Sequence, residues 1–541
     1  MDIRKTAQRH LDPPVLATCL LALSALLLVA PLAHAQDGSP SLPMDSLPYP
    51  GKPPAPDLLE SLLEVLASGD QAAYERFVRE NYSPRALAEY PAEDHASSLA
   101  RIFAETRGFR LERITGEAPQ WIQAEARDRI AGGRYCLTLN RIQDRGRDLI
   151  TDFSARGIYL AGSHLTTPMP DELAQTIGEL ADAYAARDLF SGVILIAQND
   201  DIILHRAYGK ASLAFDIPMT LQTRLNIASI GKILTGVAIA QLVDEGRLSY
   251  DDLVGELLTD YPDQDIRQRV TVRQLLSHTS GLGPVDYYER PLWVTRSRLR
   301  SVADYMKLVI GTPLGGEPGQ YHYSNSGYVI LGAIIERLTG ETYYEYVRKH
   351  IFETAGMTHS FYHEMDSEDS DVAVPLTNLF NKGTEDYIYR LGRPRSAVYE
   401  LAAKGGPQGG AYVSASDLFA FVKALRGGAL ISPTTLQQML SPQSPSGAGA
   451  PGLTGDAREG LGIEVIVRNG HTFFGHTGGD LGIASMVYWY PHSGYTTILL
   501  SNRDPRAARV IANAIRALVT RQTINGAVPP DQACRPPAPP Q

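Results

Sequence analysis

The stretch L-N-I-A-S-I-G-K-I-L-T, Leu225 to Thr235, places a serine at the mouth of an apolar helix and a lysine one turn later. A plain core helix needs neither. A serine hydroxyl is a poor nucleophile at neutral pH until a neighbouring base takes its proton. A lysine three residues along a helix shares the serine's face, so its amine can approach the hydroxyl. Burial among apolar residues would lower the amine's pKa and let it accept that proton. Ser229 would also sit at the positive end of the helix, where developing negative charge is favoured. Alone, S-x-x-K is a short pattern that is more often structural than catalytic. It occurs once in the chain, which has no G-x-S-x-G nucleophile elbow.

Two further stretches change that balance. Y-H-Y-S-N-S-G-Y-V-I-L-G, Tyr321 to Gly332, holds the single Y-x-N of the chain at Tyr323 and Asn325. F-G-H-T-G-G-D, Phe474 to Asp480, holds the single basic-Thr-Gly at His476, Thr477 and Gly478, on the edge of an expected strand. Taken singly, Tyr323 and Asn325 read as turn residues before a helix and His476 as a strand-edge residue. Together and in this order, the three motifs resemble the penicillin-recognising serine hydrolases. That family includes class C β-lactamases, D-Ala-D-Ala carboxypeptidases, D-aminopeptidases and related esterases. The likeness runs from about Met169 to Arg521. It extends to L-L-S-H-T-S-G-L (Leu275 to Leu282), E-R-L-T-G, H-I-F-E-T-A-G-M and G-G-A-Y-V-S-A-S-D-L.

The resemblance implies roles. Ser229 would attack a carbonyl and form an acyl-enzyme, and Lys232 and Tyr323 would share the proton transfers. The phenol could act as a base only if Lys232 and His476, as cations, lowered its pKa. Asn325 would orient Lys232 and bind the substrate amide, with His476, Thr477 and Gly478 along the substrate. Backbone N–H groups of Ser229 and Gly479 would form the oxyanion hole. No metal or other cofactor is implied. The chain departs from class C β-lactamases at His476, where they carry lysine. Histidine is only partly charged at neutral pH, so carboxylate recognition there should be weaker or pH-dependent. His278 reads as a turn-shaping residue, and Tyr488, Trp489 and Tyr490 as packing.

The flanks set the context. Of 541 residues, 44% are hydrophobic and 20% charged, an ordinary globular balance, and the net charge of −10 argues against a nucleic-acid partner. Arg4, Lys5 and Arg9 precede an apolar run from Val15 to Ala30 and an A-x-A at Ala33 to Ala35. This reads as a signal peptide over residues 1–35, with no stable membrane span expected after its cleavage. Residues 36–56 read as a Pro-rich linker and 526–541 as a disordered Pro-rich tail. Cys136 and Cys534, far apart in the mature chain, are not expected to form a disulfide framework, so stability should rest on packing.

Helical leucine spacing from Asp57 gives way after Gly108 to alternating runs, F-R-L-E-R-I, W-I-Q-A-E-A, R-Y-C-L-T-L and D-L-I-T-D-F. Residues 57–165 therefore predict a small α+β domain that resembles the nuclear-transport-factor type, with a packing or other non-catalytic role. Residues 169–525 predict strands at both ends and helices between. A hairpin turns at Asn199 to Asp201, and three strands follow Gly462. The fold class expected is α+β: an antiparallel sheet flanked by helices plus an all-helical region, of the β-lactamase/transpeptidase type, preceded by the small domain. The expected function is a periplasmic or secreted serine hydrolase acting on an amide or ester of a small molecule or peptide, in the manner of a carboxypeptidase or esterase. Peptidoglycan fragments are candidate partners. The alternatives are a true class C-like β-lactamase and a catalytically silent sensor of peptidoglycan or β-lactams.

Overall fold

A computed structural model describes residues 57–158, 169–283, 296–367, 369–382, 387–444, 456–468, 470–520 and Cys534. The expected signal peptide and linker lie outside the described residues. Helices α1 (Asp57–Ala67), α2 (Gln71–Asn81), α3 (Pro84–Glu89) and α4 (Ala92–Thr106) come first. Their starts follow local chemistry. Asp70 accepts from the Ala72 N–H at 2.9 Å, and Ser83 caps α3 with Pro84 in its first turn. Strands β1 (Phe109–Ala118), β2 (Trp121–Asp128), β3 (Arg134–Asp144) and β4 (Arg147–Ile158) then form an antiparallel meander in chain order. Leu62, Leu66, Tyr74, Ile122, Ala124 and Leu137 join helices and meander in one core.

This module docks on the rest of the chain. Tyr389 enters its core and donates its N–H to Ser97 Oγ at 2.7 Å. Arg506 pairs with Glu105 at 3.1 Å, and the Tyr184 hydroxyl donates to the Glu105 carbonyl. The structure corrects the reading of the cysteines. Cys136 on β3 and Cys534 are joined by a disulfide, with Cα atoms 5.4 Å apart and both residues buried. Separation along the chain is no guide here, because folding brings the far end of the polymer back to the first module. Cys534 is thus anchored, against the reading of the tail as disordered; the rest of the tail after Thr520 lies outside the described residues.

A seven-stranded antiparallel sheet dominates the remainder. Its strands are β5 (Gly192–Gln198), β6 (Asp201–Tyr208), β7 (Asp456–Glu459), β8 (Glu464–Arg468), β9 (His471–Asp480), β10 (Ile483–Tyr490) and β11 (Tyr495–Ser501), in the order β7-β8-β9-β10-β11-β5-β6. Asn199 and Asp200 both take positive φ, 49° and 71°, the conformation that a two-residue hairpin requires. The stretch after Gly462, read as one strand up to His476, is a hairpin that pairs Arg468 with His471. Asp456–Glu459 adds an edge strand the sequence reading left out.

Both faces of the sheet are covered, so its central strands read as nearly continuous apolar runs. Val193, Leu195, Val487 and Trp489 face one core. Ile194, Ile196, Met486, Tyr488 and Tyr490 face the other. Helices α5 (Pro170–Ala185), α6 (Gly231–Asp244), α7 (Asn325–Thr339), α8 (Ala415–Arg426) and α9 (Pro505–Val519) supply the layers. The second core lies under α5 and α9, and the first includes α6, α7 and α8. Helix α6 is buried nearly all round, as an interior helix must be when it carries apolar residues on every side. No helix of the described residues is long and apolar enough to cross a membrane.

Replacing Cys136 by serine should lower the stability of the oxidised protein by roughly 2–4 kcal/mol, the typical loss on removing a disulfide. Thermal unfolding with and without reductant checks this: wild type should fall to the variant's midpoint on reduction, while the variant should not move.

Candidate active site

Ser229 sits in a short 3-10 turn, Ala228–Ile230, that runs directly into α6. The turn is set from both sides. Asn226 Oδ1 accepts from the Ala228 N–H at 2.8 Å, and the Ala228 carbonyl accepts from Gly410 at 3.1 Å. Ala228 itself is held at φ 43°, a conformation that costs a non-glycine residue about 1–3 kcal/mol and persists only where its surroundings impose it.

One turn along α6, Lys232 is fully buried, and its Nζ has three partners. Asn325 Oδ1 lies at 2.8 Å, the Gln408 carbonyl at 2.7 Å and Ser229 Oγ at 3.1 Å. Two of these can only accept. In the neutral amine, both N–H bonds go to Asn325 and Gln408, and the lone pair is left for the Ser229 hydroxyl. Desolvation brings the lysine down to about 7, against a smaller opposing pull from Glu459. The rings of Tyr323 and Tyr328 flank the amine at 4.9 and 5.3 Å.

Tyr323, just ahead of α7, donates its hydroxyl to Ser229 Oγ at 2.9 Å. The serine oxygen therefore has a donor on one side and a base on the other. The phenol's titration differs from the expectation. Burial raises it well above the ordinary value, and Glu459 and Glu464 add to the rise, more than offsetting the hydrogen bond with Ser229. The cations expected to lower it do not prevail, because desolvation is the largest influence and the two glutamates add to it. The free phenol is thus a donor. Part of the ring remains exposed, 38% of the residue, on the side open to the cavity.

His278 shapes a turn, with φ 57°, and does more. Its ring stacks on Tyr323 at 4.2 Å, and its Nδ1 accepts from the Ser324 N–H at 3.0 Å. That bond fixes the proton on Nε2 and sets the start of α7. Desolvation, then Lys232, holds His278 well below its ordinary value, so it stays neutral.

His476 lies on β9 beyond the end of β8, where β9 pairs only with β10. Its Nδ1 contacts the Thr477 carbonyl, so Nδ1 carries the proton, and it lies 3.8 Å from Glu464. Burial is the main cause of its lowered pKa. At neutral pH this position therefore presents an uncharged imidazole with no cation for a carboxylate. Thr477 donates to Glu464 Oε1 at 3.3 Å, and Tyr488, read as packing, donates its hydroxyl to the same carboxylate. Gly478 is forced: a Cβ there would lie 2.2 Å from both the Ile227 carbonyl and Ser485 Oγ. Ser229, Tyr323, His476, Thr477, Gly478 and Gly479 all line one cavity of about 560 Å³. The structure thus brings together the motif residues Ser229, Lys232, Tyr323, His476, Thr477, Gly478 and Gly479, with Asn325 behind Lys232. Sequence reading did not single out the Gln408 carbonyl, Glu459, Glu464 or Tyr321. Only the glycines around Gln408, part of the G-G-A-Y-V landmark, gave a hint.

Comparison with known proteins agrees with this geometry. The β-lactamase family model matches residues 173–522. The chain belongs to the β-lactamase family. A penicillin-binding protein of Bacillus subtilis is 29% identical to this β-lactamase-family chain over 340 residues, 61% of this chain and 71% of its own length. A solved penicillin binding protein from Bacillus halodurans superposes with a TM-score of 0.54 at 28% identity, over 63% of this chain and 99% of its own. A D-amino acid amidase from Ochrobactrum anthropi shares the fold at 21% identity, with a TM-score of 0.54 over 64% and 98%.

Acylation of Ser229 by a reactive probe should accelerate as pH rises through about 7, where Lys232 loses its proton and exposes the lone pair. The observed labelling rate against pH checks this; a rate that falls over that interval contradicts the assignment. Gly478→Ala should slow labelling about 10²-fold by pushing β9 off the serine turn, a loss typical of misplacement by an ångström. A thermal melt of the variant would show whether the fold survives.

Proposed function

We propose that the chain is an exported serine hydrolase that cleaves an amide or ester through an acyl-serine, as a peptidase or esterase of the carboxypeptidase type. The observation that carries this reading is the buried amine of Lys232, whose two N–H bonds are committed elsewhere and whose lone pair faces Ser229 Oγ. Ser229 Oγ attacks the carbonyl carbon and its proton passes to Lys232. Backbone N–H groups of Ser229 and Gly479 stabilise the oxyanion, a contribution worth about 10²–10³ per donor in rate. Tyr323, a donor in the resting site, protonates the leaving nitrogen or oxygen and is reprotonated from Lys232. Water then releases the acyl group by the same path in reverse. Asn325, its oxygen held by Lys232, turns its amide N–H toward the substrate.

The neutral His476 argues against an efficient β-lactamase, whose substrate carries a carboxylate, and equally requires that a carboxypeptidase-type substrate have its carboxylate held by another group. Relatives named for penicillin binding make a fluorescent penicillin a sensible probe and peptidoglycan fragments sensible partners. A catalytically silent sensor would have no use for an amine tuned to about 7 beside the hydroxyl. A disulfide persists in oxidising compartments, which supports a periplasmic or secreted location together with the basic and apolar N-terminus.

The purified protein should be labelled by a fluorophosphonate or a fluorescent penicillin, and Ser229→Ala should lower labelling by at least about 10³-fold. In a panel of p-nitrophenyl acetate, D-alanine p-nitroanilide and nitrocefin, the ester and the D-amide should be turned over faster than the β-lactam. No labelling of wild type by either probe would favour the silent reading.

A further inference from the structure

The cavity that holds Ser229 continues around the unpaired edge of β9 to the opposite side of the sheet, under α9. Ala484, Met486, Leu499, Ala508 and Ala512 line that rear arm, and Arg516 closes it. Arg516 is 3% exposed. Its Nη1 donates to Asn513 Oδ1 at 3.2 Å, Nη2 lies 3.8 Å from Met486 Sδ, and Nε has no partner. The guanidinium carbon sits 5.6 Å from the Tyr488 ring. Among the described residues no carboxylate lies within ion-pair distance of it. Arg141, almost as buried, contrasts with this: it pairs with both Glu117 and Asp148.

A guanidinium carries five donors and keeps its charge at any ordinary pH. Burying one without an anion is costly, and native chains seldom tolerate it without a return. One hydrogen bond to an amide oxygen, a ring face and the nearby Tyr490 hydroxyl do not replace a counter-ion. The local charge deepens the deficit. Burial first, and then Arg516 nearby, pull the Arg468 guanidinium below its ordinary value, so two cations crowd this side of the sheet. Much of the arm's wall is methyl and methylene groups of Ala484, Met486, Leu499, Ala508 and Ala512, which suit an alkyl chain, while Glu464, Ser485 and Asn513 line the same cavity.

We propose that this rear arm is a substrate subsite for an apolar chain that ends in a carboxylate, with Arg516 as the group that takes the anion. A planar carboxylate matches the guanidinium fork, and an alkyl segment fills the space between it and the strand edge. The inference rests on the hydrolase reading only for the statement that the occupant is a substrate. It gives the enzyme a preference for amides or esters with an anionic tail remote from the reacting carbonyl. Because His476 is neutral, that anion is recognised away from β9's outer edge.

Binding of octanoate and of uncharged octanamide to the full-length Ser229→Ala protein, by calorimetry, tests the subsite without any turnover. Octanoate should bind at least tenfold more tightly, and Arg516→Met should erase the difference while Arg509→Gln, at the exposed rim, keeps it. Equal binding of the two probes, binding of neither, or a preference lost in Arg509→Gln but kept in Arg516→Met overturns the proposal. Should Arg516→Met fail to fold, the comparison of the two probes on Ser229→Ala still decides. In wild type, kcat/KM for p-nitrophenyl monoesters of four- to eight-carbon dicarboxylates should exceed that for the matched neutral alkanoates. Failure of every ester would count against the hydrolase reading, while equal rates for charged and neutral esters would count against the subsite alone.

Discussion

The site depends on a lysine that is denied water and offered three partners. Removing the amine from solvent makes its proton easy to lose. Two fixed acceptors then dictate where the lone pair goes once the proton has left. Each acceptor comes from a distant part of the chain: Asn325 from the start of α7 and the Gln408 carbonyl from the glycine-rich loop before α8. The apolar surroundings of α6 are therefore part of the chemistry and not only of the core. The same helix that packs the centre of the first core keeps the amine dry.

Much of this was legible in the sequence, for a physical reason. Ser229 and Lys232 are linked by helix periodicity, which is local and can be read from four letters. Tyr323, Asn325 and His476 carry short motifs whose order alone suggested convergence. Structure supplied what depends on three-dimensional neighbours. The carbonyl of Gln408 leaves no trace in residue identity, because any residue has one. Glu459 and Glu464 sit opposite each other on β7 and β8, an edge pairing that the apolar pattern does not reveal. The stacked ring of His278 was read as part of a turn, which it also is. The phenol's titration could not be foreseen, since it turns first on burial and then on neighbours that only folding brings close.

The charges around the cavity have an uneven arrangement. On the serine side, the groups that could be cations have been neutralised by burial: Lys232 in part, His278 and His476 more fully. On the far side of β9, Arg516 keeps a charge that no titration can remove. Glu464 lies between, occupied by Thr477 and Tyr488. A strand edge that separates a nearly neutral reaction centre from a distant cation lets the chemistry and the recognition of substrate be tuned by different residues.

The bond between Cys136 and Cys534 turns the polymer into a covalent ring that encloses the whole β-lactamase-family region. A single backbone cut in any surface loop inside that ring, such as those on either side of the long sheet's strands, opens the circle without releasing a fragment. Closure also has to wait until Cys534 has been made. The meander that precedes the family region is therefore fastened by a cysteine that follows it.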